Sequence, residues 1–264
     1  MSQKEHSRAN QRAWSHKAYE ATLRLGGTPE ETAEELRENP KYTLRDYLEF
    51  LGDVEKKKVA NLLGSSGKKA VALSLLGARV TVVDITEENQ RYALECARAA
   101  GVSLDYIVSD VLEWETGPFM NYFDLVLMEY GILHYFVDLN PLARLICDIL
   151  KPGGKWILHE YHPINKKCAP KQDGDRLVLE GDYFSEEIIE KPAPRSMAFS
   201  QEEVDTFPLC RYRYWQMGEI VSTVSTQGLI VETLVENPHG EFPTLPGTFT
   251  LVAKRGLKWS AGGA

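Results

Sequence analysis

The run Val80-Thr81-Val82-Val83-Asp84-Ile85 constrains the fold more than any other segment. It is apolar and nearly unbroken in β-branched residues, with no alternation that would leave one face to water. A strand of this kind has to be covered on both faces, as strands of parallel sheets are. The flanking sequence fits that demand. Val59–Leu63, Tyr106–Val108, Asp124–Met128 and Trp156–His159 read as further short strands. Between them, Lys68–Leu76, Thr86–Ala100 (closed by Gly101) and Leu142–Leu150 read as helices. Strand and helix in regular alternation imply an α/β fold, a doubly wound parallel sheet with right-handed crossovers.

This rhythm begins near residue 53, and the chain divides around it. Residues 1–52 are polar and helical in pattern, with Trp14, Ala18 and Tyr19 near helical spacing. Thr28-Pro29-Glu30-Glu31 forms a capping box with Pro at the first helical position, so a helix starts there and stops by Asn39-Pro40. Thr43 is expected to open another short helix that ends near Gly52. Residues 53–162 form the α/β core. Residues 163–213, rich in Pro, Lys, Glu and aromatics, break the pattern and predict an irregular or hairpin insertion that caps the core. Regularity returns over 214–255, with a helix at Tyr214–Gln227 and strands at Leu229–Leu234 and Phe249–Ala253. The tail 256–264 ends in small residues and is expected to be disordered from Ser260 on.

Two features carry ligand chemistry. Strand Val59–Leu63 runs into Gly64-Ser65-Ser66-Gly67 and then a helix. Small residues there let the backbone approach a ligand, and a helix N-terminus offers free N–H groups. The turn lacks the glycine and Ser/Thr of a P-loop and is not G-x-G-x-x-G. Asp84 ends the next strand, 20 residues beyond Gly64. In nucleotide-binding α/β folds an acid at that place accepts hydrogen bonds from ribose hydroxyls. A cap role for Asp84 is less needed, because Thr86 already supplies one.

From Val59 to Tyr161 the chain resembles the class I S-adenosylmethionine-dependent methyltransferases. Gly67 matches the last glycine of that family's first motif, and Asp84 its ribose-binding acid. Asp110, after Tyr106-Ile107-Val108-Ser109, matches the acid that receives the adenine amino group, with the Val111 N–H beside the ring. Phe123–Leu127, Leu133-His134 and Leu150-Lys151-Pro152-Gly153-Gly154 match later family segments. The chain departs at Asn61, where an acid is usual, and at Leu63 and Ser65, which replace two glycines; Gly64 fills a slot that is usually Cys or Ala. Asn61 can hydrogen-bond but cannot attract a cationic amino group as a carboxylate does. The resemblance implies a seven-stranded, mostly parallel, Rossmann-like sheet and S-adenosylmethionine as cofactor. It implies a binding set of Asn61, Gly64, Ser65, Gly67, Asp84, Ile85, Asp110, Val111 and Met128. It implies methyl transfer to an N, O or C nucleophile, with Glu129, His159 and His162 as candidate bases.

Several of these residues have a second reading. Glu129 either orients a nucleophile or is a salt-bridged acid, and His134 reads more readily as a core histidine than as a cofactor neighbour. Trp14 and Tyr19 either close over the cofactor or pack on the core.

Charge narrows the acceptor. A formal net charge of -8, with basic residues dispersed, leaves no cation surplus for a phosphate backbone. A small-molecule acceptor is therefore expected, in a pocket bounded by Glu129, Tyr130, His162 and the insertion, with Tyr183, Phe184, Tyr212, Tyr214 and Trp215 as its aromatics. Three alternatives remain: a non-catalytic S-adenosylmethionine-binding protein, an RNA methyltransferase, and a nicotinamide oxidoreductase, which the missing G-x-G-x-x-G disfavours. A polar N-terminus, no apolar run of spanning length, and four scattered cysteines without C-x-x-C predict a cytoplasmic protein with reduced thiols, no zinc site and no membrane partner.

Overall fold

The computed structural model describes residues 2–257; the expected disordered tail from Ser260 lies outside the described residues. Five helices open the chain: α1 (Gln3–Ser15), α2 (Ala18–Gly26), α3 (Pro29–Glu38), α4 (Pro40–Thr43) and α5 (Leu48–Leu51). The capping box at Thr28 forms, with the Thr28 hydroxyl accepting from Glu31 N–H and the Glu31 carboxylate from Thr28 N–H. Thr43, expected to open a helix, instead closes α4, because Asn39 caps the preceding turn and Pro40 fixes its first φ.

The core follows as β1 (Lys58–Leu62), α6 (Lys68–Leu75), β2 (Arg79–Asp84), α7 (Glu87–Ala100), β3 (Asp105–Val108), β4 (Phe123–Glu129), α8 (Asn140–Ile149) and β5 (Leu150–Tyr161). The insertion holds α9 (Pro163–Lys167), an exposed hairpin of β6 (Pro170–Asp173) and β7 (Arg176–Leu179), then β8 (Ile188–Pro192), α10 (Gln201–Val204) and β9 (Leu209–Arg213). Strands β8 and β9 pair antiparallel as a second hairpin. The chain returns to the core with α11 (Met217–Thr226), β10 (Leu229–Pro238) and β11 (Pro246–Arg255).

Seven strands form one sheet in the order β3-β2-β1-β4-β5-β11-β10. All neighbours are parallel except β11, which runs antiparallel to both β5 and β10. Alternate residues of each strand fill two cores. Ala60, Leu62, Phe123, Val126 and Met128 pack with Leu142, Ile146, Ile220 and Val224 on one face. Val59, Val80, Val82, Leu125 and Leu127 pack with Leu36, Tyr47, Val71 and Tyr92 on the other. The apolar run at β2 is thus buried on both sides, as its composition requires.

Two boundaries differ from expectation. Leu150 already pairs with Phe123, and the register with β4 resumes at Leu125 and Lys155, so Lys151–Gly154 bulges from within β5. Helix α11 starts at Met217, not Tyr214, because Tyr214 faces a cavity and the Trp215 indole N–H donates to the Leu133 carbonyl at 2.9 Å.

Candidate functional site

Strands β2 and β4 flank β1, and the chain reverses its direction of winding there. In open α/β sheets ligands bind beyond the carboxyl ends of the strands at this switch point. A cavity of about 410 Å³ opens at that place. Leu63, Gly64, Ser65, Asp84, Ile85, Asp110 and Val111 form its floor, while Ser7, Asn10 and Trp14 of α1 cover it. Glu129, Tyr130, Gly131, His134, Tyr161, Tyr212 and Tyr214 wall its far end.

The turn after β1 explains how two glycines can be replaced. Leu63, Ser65 and Gly67 all hold left-handed φ, at 51°, 52° and 73°. The first two are L-residues, for which this conformation costs roughly 1–2 kcal/mol each. Hydrogen bonds hold them there. Leu63 N–H donates to the Val83 carbonyl (2.7 Å) and Ser65 N–H to Asp84 Oδ2 (2.9 Å). The Tyr106 hydroxyl donates to the Ser65 carbonyl (2.6 Å).

Asp84 is buried, and its carboxylate is held by several donors of the chain itself. Besides Ser65 N–H, its carboxylate accepts from Thr86 N–H (3.3 Å) and Asn89 Nδ2 (2.9 Å). Arg195, from the insertion, donates to Asn89 Oδ1 (2.6 Å) and to the Ser65 hydroxyl, and its guanidinium lies 5.1 Å from the Trp14 ring. Burial lowers the Arg195 pKa, and the Asp84 charge opposes that shift. One network therefore ties the insertion, α1 and the turn to the strand-end acid. Asp110, the next acid along the floor, accepts from Leu112 N–H at 2.9 Å.

Four members of the anticipated cofactor set do not reach the cavity as expected, or reach it differently. Asn61 is 1% exposed and lies beneath the floor; its Nδ2 donates to the Leu127 carbonyl (3.3 Å), and its Oδ1 has no partner. Gly64 lines the cavity, but a Cβ there would also meet Asn61 Oδ1 at 2.7 Å, so the glycine serves packing as well. Gly67 lies off the cavity and starts α6, where a Cβ would meet Ala93 Cβ at 2.5 Å. Met128 is fully buried in the core beneath β4.

The candidate bases separate. Glu129 lines the cavity, accepting from the Tyr47 hydroxyl (2.7 Å) and pairing with Lys69 (3.0 Å). His159 is 1% exposed and outside the cavity lining; its Nδ1 shares a hydrogen with Thr250 Oγ1 (2.8 Å), and burial lowers its pKa. His162 sits on the other face of β5. It caps α9 through Nδ1 and pairs with Glu236 through Nε2 (2.7 Å). Strand alternation puts His159 and Tyr161 on one face and His162 on the other; of the first pair only Tyr161, at the strand end, lines the cavity, while His159 is buried. His162 therefore does not bound the pocket, contrary to expectation.

Trp14 reaches the cavity, whereas Tyr19 packs on α7, its backbone N–H donating to Glu88 (2.8 Å). Of the insertion aromatics, Tyr212 and Tyr214 line the cavity, Phe184 faces solvent, and the Tyr183 hydroxyl accepts from Met217 N–H. His134 is buried at the wall with its pKa pushed down to about 3, first by burial and then by Lys166 and Lys191.

Glu160 was not singled out by the sequence. It is buried, and its carboxylate accepts from Gly131 N–H (2.6 Å), Ile132 N–H (2.8 Å), Leu133 N–H (3.3 Å) and Tyr161 N–H (2.6 Å). It thereby fixes the loop after β4, whose Tyr130 and Gly131 hold φ of 48° and 75°. The non-glycine left-handed residue and the buried acid one strand away are structural facts with no local sequence signature. Asn10 is another such residue: its side chain exchanges two hydrogen bonds with the Arg211 backbone at the β9 edge, anchoring α1 over the cavity.

A nucleoside fits these residues, with two carboxylates at successive strand ends and apolar Ile85 and Val111 beside them. The strand order and the place of the cavity are those of the class I S-adenosylmethionine-dependent methyltransferase fold. Residues 63–158 match the family profile of the methyltransferase domain. No curated protein matches it. Its fold is similar to that of an S-adenosylmethionine dependent methyltransferase from Mesorhizobium loti (TM-score 0.60, 22% identity, 81% of this chain and 96% of that one). A Clostridium acetobutylicum ATCC 824 S-adenosylmethionine-dependent methyltransferase is also similar (TM-score 0.59, 13% identity, 82% and 90%). So is magnesium protoporphyrin IX methyltransferase from Synechocystis PCC 6803, solved with bound S-adenosylhomocysteine (TM-score 0.52, 12% identity, 84% and 82%). Among the described residues no helix is long and apolar enough to cross a membrane.

Proposed function

We propose that this enzyme transfers a methyl group from S-adenosylmethionine to a small molecule held in the aromatic half of the cavity. The observation that carries the reading is the cavity itself. It runs without interruption from the turn and acids of the floor to the wall of Tyr130, Tyr161, Tyr212 and Tyr214, beneath α1 and the insertion. A covered space of this size suits a cofactor and a metabolite, not a polynucleotide.

Asp84 is assigned to the ribose hydroxyls, Asp110 to the adenine amino group, and the Val111 N–H with the Ile85 side chain to the ring's surroundings. The backbone of Leu63, Gly64 and Ser65 meets the amino-acid end of the cofactor in place of the buried Asn61. The cofactor, when bound, supplies a methyl group already activated on a sulfonium. What the chain must do is align the acceptor and keep water out. Trp14 and the insertion serve the second need, and the tyrosines the first. Glu129 is the one anticipated base that faces the cavity; its ties to Tyr47 and Lys69 hold it as a fixed acceptor for an acceptor's N–H or O–H.

Incubation with methyl-labelled S-adenosylmethionine and separate pools of metabolites, total RNA and protein tests this. Label in the metabolite pool is expected. Label only in RNA refutes the small-molecule reading, and label nowhere favours a non-catalytic binding protein.

A further inference from the structure

We propose that the acceptor is an anion on a flat apolar body, and that Lys166 and Lys191 hold its negative group at the cavity's far end. This inference rests on the small-molecule reading above and names its substrate class.

Both lysines line the cavity, Lys166 from α9 and Lys191 from β8. Among the described residues, no carboxylate lies within ion-pairing distance of either ammonium. Lys166 Nζ sits 4.0 Å from the centre of the Tyr161 ring. Lys191 Nζ lies 4.8 Å and 5.2 Å from the Tyr212 and Tyr214 ring centres and donates to the Tyr214 hydroxyl at 2.5 Å.

The neighbouring Lys167 shows what a structural lysine looks like in this place. Its ammonium is spent on two carbonyls, those of Ser185 and Tyr214 (2.5 and 3.0 Å). Among the described residues Lys166 has no such carbonyl. The nearby acid, Glu160, cannot serve it directly, because the Glu160 carboxylate already accepts four backbone N–H groups. Two ammonium groups thus line one partly enclosed space, and among the described residues no carboxylate of the chain pairs with either. Their mutual repulsion and the burial of Lys166 both disfavour its charged form, while Glu160 favours it. Holding such a pair costs stability, and an anionic ligand entering between them removes that cost. The chain does this despite a formal net charge of -8.

The remaining wall sets the rest of the ligand. Tyr135, Tyr161, Tyr212 and Tyr214 present ring surface, and His134 is neutral there. A planar hydrocarbon body packs on such rings, and the two cations fix its orientation. The opposite end of the ligand then points toward the Leu63–Ser65 turn, where the methyl donor is assigned.

Matched probes test the proposal. Naphthalene-2-carboxylate and naphthalene-2-carboxamide have nearly the same shape and differ in charge; 2-naphthyl phosphate is a second anionic arm. Binding is followed by naphthalene fluorescence on the full chain. The expected result is that the carboxylate or the phosphate binds at least tenfold tighter than the amide, and the stronger of the two identifies the anion. Lys191→Met, at an exposed position, should cut the preference at least threefold, and the double variant with Lys166→Met should abolish it. S-adenosylhomocysteine affinity, measured in parallel by calorimetry, should stay within twofold in both variants. Equal affinity for the charged and neutral probes in the unmodified protein overturns the proposal. So does a preference that survives in the double variant, or no saturable binding of either anion. Failure to bind S-adenosylhomocysteine would instead overturn the cofactor reading, and the probe ratio remains readable without it.

Discussion

Asp84→Ala separates the two duties that the structure gives this carboxylate. Removing it strands three donors: Ser65 N–H, part-buried, and the buried Asn89 Nδ2, each at 2.9 Å, and the buried Thr86 N–H at 3.3 Å. A hydrogen bond to a charged acceptor contributes about 1.5–3 kcal/mol, but losses within one network sum to less than their parts. A destabilisation of about 3 kcal/mol is expected, lowering Tm by roughly 6–12 °C in a chain of this size. This exceeds what a strand-end acid suggests from sequence alone, because Asp84 also holds Ser65 in its left-handed conformation. The ligand duty is read separately, by calorimetry of S-adenosylhomocysteine well below the variant's Tm. Loss of a charge-assisted pair of ribose hydrogen bonds should weaken binding by about 1.5–3 kcal/mol, on the order of 10- to 150-fold. Asn89→Ala is the control: it removes one donor to Asp84 and one acceptor of Arg195 but keeps the carboxylate, so it should cost about 2–3 kcal/mol of stability and leave affinity within threefold. A folded Asp84→Ala protein with unchanged affinity would refute the ribose assignment.

Three further outcomes follow from buried polar groups. His134, with a folded pKa of about 3, stays neutral while the unfolded chain protonates below its ordinary value of about 6.5. The stability this contributes is present above pH 6.5 and lost as pH falls; urea unfolding at pH 7.5 and 5 should show wild type losing about 2 kcal/mol more than His134→Phe, and equal losses would contradict it. Glu160→Ala should cost about 3–5 kcal/mol and speed amide exchange at Gly131, Ile132 and Leu133, since it orphans four N–H groups; unchanged exchange would show that the loop holds itself. Asn61→Asp, although it restores the family's usual acid, should lower stability by about 1–3 kcal/mol, because it replaces a donor to the Leu127 carbonyl with a buried charge; a gain in both stability and cofactor affinity would overturn that placement.

The parts of this fold that repeat a local rule were legible in the chain. β-branched density marked β2, and Thr28 and Thr86 marked helix starts through their caps. The spacing from the first turn to Asp84 placed an acid on the cavity floor, and Asp110 followed it. What sequence did not reveal depends on contacts between distant segments. Nothing near Asn61 says that it faces Gly64 and Leu127 under the floor. Alternation along His159-Glu160-Tyr161-His162 separated two faces, but which face met the cavity depended on how β5 sits between β4 and β11. Lys166 and Lys191 stand 25 residues apart in an irregular insertion, and only its folding brings both to one wall. Arg195 likewise reaches the Asp84 network from more than a hundred residues away, which no periodicity encodes.

The central claim is that the carboxyl ends of β1, β2 and β3 hold S-adenosylmethionine. Calorimetric titration of the intact chain with S-adenosylhomocysteine, and separately with NAD, tests it most directly. A single S-adenosylhomocysteine site of micromolar or tighter affinity, with no comparable NAD binding, is the predicted result. Tight NAD binding with no heat from the sulfur nucleoside would contradict it.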